Sequence, residues 1–326
     1  MTEKNVQTEQ DVQTEQEEIE LIEKTPREII DEAIQAGRRD FYVAYSGGKD
    51  SGIALDIFAK EYPEYFRGVV FAETGIGTDA TTEFIKKYCK DRNYPLFIVK
   101  PEDVIRKRNT HRGKKGESYS YEALVLNYGF PKQPFHTVTM RHLKFFPLRK
   151  FIYDKTNAGE KPCIVGGIRK NESARRKMKW NKYFYNEGKM FFVSPIFFKS
   201  NEWVYEYFIK HDIKRSPVYE TLHISGDCLC GCFAQKEELD LLKTFHPEVY
   251  DKIHELEKKI HEKGTDEAKE NSTWGVHGQS THSAQDGAEN FICNDCFFDS
   301  DGKEEDTKRY DNEFQDIENK LKNLKK

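Results

Sequence analysis

The stretch Phe41-Tyr42-Val43-Ala44-Tyr45-Ser46-Gly47-Gly48-Lys49-Asp50-Ser51 constrains this chain more than any other. An apolar, β-prone run stops at a serine and two glycines. Gly52-Ile53-Ala54-Leu55-Asp56-Ile57-Phe58-Ala59 then continues with helix-compatible residues. Strand, glycine turn and helix start in direct succession build an anion site. The glycines let backbone N–H groups converge, and the helix N-terminus adds unpaired donors and the positive end of its dipole. Lys49 adds a full positive charge, so the loop suits a phosphate or pyrophosphate. Its spacing is neither G-x-x-x-x-G-K-S/T nor G-x-G-x-x-G.

Further strands are expected at 68–72, 95–99, 162–165 and 191–196. Helices are expected at 81–92, 121–127, 141–153 and 201–211, with a helical hairpin at 237–245 and 248–261 broken at Pro247. Strand and helix alternate over short links, which predicts a parallel sheet with helices on both faces and the ligand at the carboxyl ends of the strands. The loops at 46–51 and 73–78 then share that edge. The predicted class is α/β: a doubly wound Rossmann-like domain followed by a mainly helical, cysteine-rich, metal-binding extension. The expected divisions are an acidic tail over 1–24, the nucleotide-binding domain over 25–220, the cysteine-rich region over 221–300 and a charged tail over 301–326. Residues 263–290 read as a long polar loop.

The chain has 326 residues, of which 37% are apolar and 13% aromatic, enough for a substantial core. A net charge of −4 is not that of a globally basic nucleic-acid binder, although basic runs occur at 106–116 and 175–179. The second run leads into Trp180, Tyr183, Phe184 and Tyr185, a pattern that suits an edge covering the sheet or a grip on single-stranded nucleic acid. No apolar run approaches the ~18 residues of a membrane span, and the first residues lack the apolar stretch of a secretory signal. A cytoplasmic location is expected, and the seven cysteines are then thiols or metal ligands rather than disulfides.

Ser46-Gly47-Gly48-Lys49-Asp50-Ser51 resembles the PP-loop of the ATP pyrophosphatase (HUP-type) superfamily, whose members split ATP between its α and β phosphates and transfer AMP. The order of later motifs is similar to the phosphoadenosine phosphosulfate (PAPS) reductase-like branch. These motifs are Glu73-Thr74-Gly75, Gly129-Phe130-Pro131, Arg141-His142-Leu143-Lys144, Gly167-Ile168-Arg169 with Glu172-Ser173 and Arg175, Ser194-Pro195-Ile196, and Ser216-Pro217-Val218-Tyr219. The resemblance covers roughly residues 38–260. It implies a nucleotide site lined by Ser46 to Ser51, Glu73, Thr74, Gly75, Gly167 and Arg169. Lys49, Asp50 and Arg169 are the implied catalytic residues, and Arg141, Lys144 and Arg175 the implied substrate-binding cations. Lys49 would offset charge on leaving pyrophosphate, and Asp50 would hold Mg²⁺ or cap the helix. One departure is Thr139, where the family often carries a cysteine. Another is the intact loop: sulfonucleotide reductases of this branch typically have a degraded one and end in a Cys-Gly-Leu-His tail, whereas this sequence ends in Asn-Leu-Lys-Lys. The intact loop and the Asn-Leu-Lys-Lys ending favour ATP as the substrate.

Cys228-Leu229-Cys230-Gly231-Cys232 and Cys293-Asn294-Asp295-Cys296 form the second strong signal. Closely spaced thiolates in two groups can converge on one four-sulfur site, which suits zinc or an iron–sulfur cluster. The resemblance favours a [4Fe-4S] cluster, with zinc as the alternative. Cys228, Cys230, Cys293 and Cys296 are the chosen ligands. Cys232 is either a spare thiol or the ligand in place of Cys228, and a metal-free redox dithiol is a further option. Cys89 and Cys163 read as packing residues.

Three functions fit. The first is an ATP pyrophosphatase that adenylylates an acceptor, DNA or tRNA among the candidates, so that sulfur from a donor such as a cysteine desulfurase can replace the AMP. The second is a PAPS or adenylyl-sulfate reductase with an iron–sulfur cluster. The third is a non-catalytic nucleotide-binding subunit. The sequence leaves the acceptor, the sulfur donor and the oligomeric state open.

Overall fold

The computed structural model describes residues 23–109, 114–132, 135–170, 183–187, 189–234 and 238–275. Helix α1 (Pro26–Gln35) opens on a capping box: the Thr25 hydroxyl accepts from the Glu28 N–H while the Glu28 carboxylate accepts from the Thr25 N–H. Strand β1 (Asp40–Ala44) follows, then α2 (Lys49–Glu61), β2 (Phe66–Ala72), α3 (Asp79–Asp91) and β3 (Leu96–Val99). Beyond α4 (Tyr121–Tyr128) and a long helical segment lie β4 (Pro162–Val165), β5 (Phe184–Glu187) and β6 (Met190–Val193).

The six strands order as β3-β2-β1-β4-β6-β5. All neighbours are parallel except β5, which runs antiparallel to β6 at the edge. The chain builds outward from β1 through β2 to β3, then returns to lay β4 on the other side of β1. Strand order therefore reverses between β1 and β4, which is where open parallel sheets leave a crevice for ligands. The doubly wound expectation holds.

The strand period of two sorts side chains between the faces. Phe41, Val43, Val69 and Phe71 pack with Ile53 and Phe58 of α2. Tyr42, Ala44 and Val70 face the opposite side, with Leu148 and Ile152. A third core unites Tyr121, Leu124, Val125 and Leu143 with Leu229, Ile253 and Trp274. That core draws on both sides of the expected 220/221 division. The helices Glu238–Phe245 and Pro247–Lys263 form the expected hairpin.

Four expectations need correction. The helix expected at 141–153 begins earlier: His136–Met140 (α5), Arg141–Phe145 and Phe146–Asn157 (α6) run on in right-handed helical geometry, the middle segment widened to a π turn. Pro147, just past the wide turn, has no N–H and would crowd the preceding turn, and a local widening relieves that conflict. Strand β6 stops at Val193 because Ser194 and Pro195 turn away, and proline cannot extend a ladder. Residues 184–187, read as part of a basic-aromatic run, supply the edge strand β5. Within the stretch read as a polar loop, Asp266–Glu270 forms a short helix, its first turn capped by the Thr265 hydroxyl. Among the described residues no helix is long and apolar enough to cross a membrane.

Candidate functional site

The loop after β1 has the expected geometry. Gly47 has φ +79°, a conformation glycine adopts without strain, and its carbonyl accepts from the Ser216 N–H at 2.7 Å. Gly48 is the N-cap of the 13-residue α2 and makes no side-chain cap bond. The first-turn N–H groups are thus left for a ligand in the loop. Ser46 and Ser51 close the turn: their hydroxyls are 3.1 Å apart, and Ser51 Oγ also donates to the Gly48 carbonyl at 3.2 Å.

The loop after β4 braces the first across the switch point. A Cβ on Gly167 would lie 2.5 Å from the Asp50 carbonyl carbon and 2.6 Å from the Ser51 nitrogen, so only glycine lets these backbones meet. Arg169, 1% exposed, donates from Nε to Asp50 Oδ1 at 2.8 Å and from NH1 to Asn201 Oδ1 at 2.8 Å. Lys49 Nζ lies 3.7 Å from Asp50 Oδ2. Arg169 therefore holds Asp50, while the second Asp50 oxygen faces Lys49. Ser194 Oγ accepts from the Ile168 N–H and donates to the Gly166 carbonyl, which fixes this loop from below.

The loop after β2 supplies the next wall. Glu73 accepts from Lys100 Nζ at 3.0 Å, Thr74 is buried, and Gly75 has φ +77°. Here the chain is laced to a strap at 225–229. Thr74 Oγ1 donates to the Asp227 carbonyl at 3.0 Å, the Leu229 N–H to the Ile76 carbonyl at 2.8 Å and the Thr78 N–H to the Gly226 carbonyl at 2.8 Å. A Cβ on Gly77 would lie 2.6 Å from the Asp227 carbonyl oxygen.

The same strap carries the thiols. Cys228, Cys230 and Cys232 are all buried, and the Cys230 thiol hydrogen-bonds to both of the others. Those two bonds, together with burial, push its pKa well above the ordinary thiol value. Tyr121 Oη donates to the Cys230 carbonyl at 2.8 Å, and Trp274 Nε1 donates to the Leu229 carbonyl at 3.1 Å. Cys232 is thus a third member of the group rather than a remote thiol. Among the described residues no set of three or more His, Cys, Asp or Glu side chains is arranged to hold a metal ion. The buried thiols at 228, 230 and 232 have donor chemistry that suits part of a cluster or zinc site, and Cys293 and Cys296 lie outside the described residues. Cys89 and Cys163 are buried free thiols, as packing residues should be.

The implied substrate cations divide. Lys144 is not turned to solvent: its Nζ donates to Asp227 Oδ2 at 2.6 Å, and its side chain is 5% exposed. Arg141 opens the π turn, half-buried. Arg175 lies outside the described residues. Thr139, at the position of the family's frequent cysteine, is buried and donates to the Phe135 carbonyl. Sequence reading gave no role of their own to Asp227, Ser216 and Ser225, which tie the edge together. The small polar triplet Ser225-Gly226-Asp227 beside the first cysteine was the signal available.

The chain belongs to the phosphoadenosine phosphosulfate reductase domain family, whose model matches residues 40–232. No curated protein matches it. Among solved structures, a PAPS reductase from Candida auris in complex with phosphate is 16% identical, with TM-score 0.41 over 62% of this chain and 86% of that one. An FMN adenylyltransferase from Candida glabrata in complex with FAD and inorganic pyrophosphate is 13% identical, with TM-score 0.40 over 62% of this chain and 61% of that one. A U34-tRNA thiolase from Methanococcus maripaludis with its [4Fe-4S] cluster is 14% identical, with TM-score 0.40 over 72% of this chain and 77% of that one.

Proposed function

We propose that this chain is an ATP pyrophosphatase-type enzyme that adenylylates an acceptor so that sulfur can displace the AMP. One observation carries the reading: the Ser46–Ser51 loop is intact and opens α2 on an uncapped glycine at the switch point of the sheet, backed by Gly167 and Arg169. Backbone N–H groups and Lys49 would receive the β and γ phosphates of ATP. An acceptor oxygen attacks the α phosphorus, the bond from that phosphorus to the bridging oxygen of the β phosphate breaks, and pyrophosphate leaves with the electron pair. Lys49 offsets the charge that develops on it. Arg169 is a positioning residue that keeps Asp50 in register with Lys49. Asp50 Oδ2, 3.7 Å from Lys49 Nζ, is the carboxylate oxygen that would turn to Mg²⁺ on the leaving phosphates.

Cys228, Cys230, Cys293 and Cys296 would hold the [4Fe-4S] cluster or zinc. Such a centre would supply sulfur-handling or structural chemistry to the transfer. DNA or tRNA is the proposed acceptor class, with a cysteine desulfurase-like protein as donor. The test is release of pyrophosphate and AMP from α-labelled ATP, with and without DNA or tRNA. Release stimulated by one of them supports the reading. The family match also favours reduction of a sulfonucleotide. Sulfite formed from PAPS, with no pyrophosphate from ATP under any condition, would establish that reaction instead.

A further inference from the structure

Lys144 and Asp227 form a buried ion pair at 2.6 Å whose side chains are 5% and 13% exposed. The pair joins the π turn to the strap at 225–229. Lys144 projects from the π turn, and Asp227 sits one residue before Cys228. The other Asp227 oxygen accepts from Ser225 Oγ at 2.7 Å, and its carbonyl accepts from Thr74 of the loop after β2. Asp227 therefore has its carboxylate held by the π turn, its backbone held by the candidate nucleotide edge, and a thiol as chain neighbour.

We propose that Lys144 and Asp227 are a positioning pair that sets the geometry of the three thiols and makes it respond to nucleotide. A buried lysine and aspartate are costly to desolvate and persist only when well paired, so removing one partner frees the strap at its midpoint. A ligand at the loop after β2 pulls on Thr74, Thr74 pulls on the Asp227 backbone, and the ion pair converts that displacement into a shift of Cys228 relative to Cys230. The coupling to nucleotide rests on the proposed function; the positioning of the thiols does not.

The test follows iodoacetamide alkylation of each cysteine in the full chain by mass spectrometry, with Cys163 as internal reference, alongside ATP binding. Without nucleotide, Asp227→Asn should speed alkylation of Cys228 and Cys230 at least tenfold relative to Cys163. Lys144→Met should do the same and the double variant no more, while Lys144→Arg should stay near wild type. With saturating ATP, the wild-type thiol rates should change at least threefold. Asp227→Asn should lose that response while binding ATP within threefold of wild type. Unchanged thiol rates in Asp227→Asn, or equal acceleration at Cys163, would overturn the positioning role. A thiol response to ATP that survives in Asp227→Asn would overturn the coupling. Failure of wild type to bind ATP removes the nucleotide reading and the coupling with it, while the nucleotide-free rates still decide the pair.

Discussion

Glycine at 167 and aspartate at 50 show how much of the site was visible at the level of single residues. Both stood out in contiguous motifs, because loop chemistry is written locally. Their contact, across more than a hundred residues of chain, was not. The resemblance puts Arg169 in the nucleotide site, and in the structure its guanidinium donates to Asp50 and Asn201. Gly167→Ala should therefore act on the loop after β1: a methyl group 2.5–2.6 Å from the Asp50–Ser51 backbone forces the loops apart. The expected outcome is a loss of about 1–3 kcal/mol of stability by urea titration and a weakening of ATP binding by tenfold or more. Asp50→Ala leaves the buried Arg169 uncompensated and should cost about 3–5 kcal/mol, well above the cost of any exposed substitution on α2.

Among the elements, the parallel strands and their helices were legible because short apolar runs alternated with amphipathic ones over short links. The π turn was not, since its cause is a single proline meeting a helix that must continue. Strand β5 was hidden because its residues carry no apolar-polar alternation of their own; pairing with β6 makes it a strand. The cysteine loop is held from outside by Trp274, which is fully buried and hydrogen-bonded to the Leu229 carbonyl. Gly231 lies against its indole, where a Cβ would be 2.7 Å from Nε1. Trp274→Ala should cost about 3–5 kcal/mol in denaturant unfolding. It should also speed alkylation of Cys230 by more than that of Cys163, which reports general opening.

At the scale of the molecule, the described residues pack into three cores, and the fold class followed from the order of elements alone. The joint core of the π turn, the cysteine loop and the last helices did not, because its contacts are long-range and its residues show no shared period. The buried aromatic side of the sheet makes an alkaline prediction. Burial pushes both Tyr88 and Cys89 up to about 12, from ordinary values near 10 and 9. Groups with raised folded-state pKa values favour the folded chain below their unfolded values and lose that contribution as pH rises through the folded ones. The thermal midpoint should hold to about pH 9 and fall steadily toward pH 12, and Cys89→Ala should make that fall shallower.

The central claim, that the Ser46–Ser51 loop holds the pyrophosphate of ATP, is tested most directly by equilibrium binding of α-labelled ATP to wild type and Lys49→Ala. The account predicts one ATP per chain, competition by inorganic pyrophosphate, and at least tenfold weaker binding in Lys49→Ala with stability within about 1 kcal/mol of wild type. Binding of PAPS with no measurable binding of ATP, or ATP binding indifferent to Lys49 and to pyrophosphate, would contradict it.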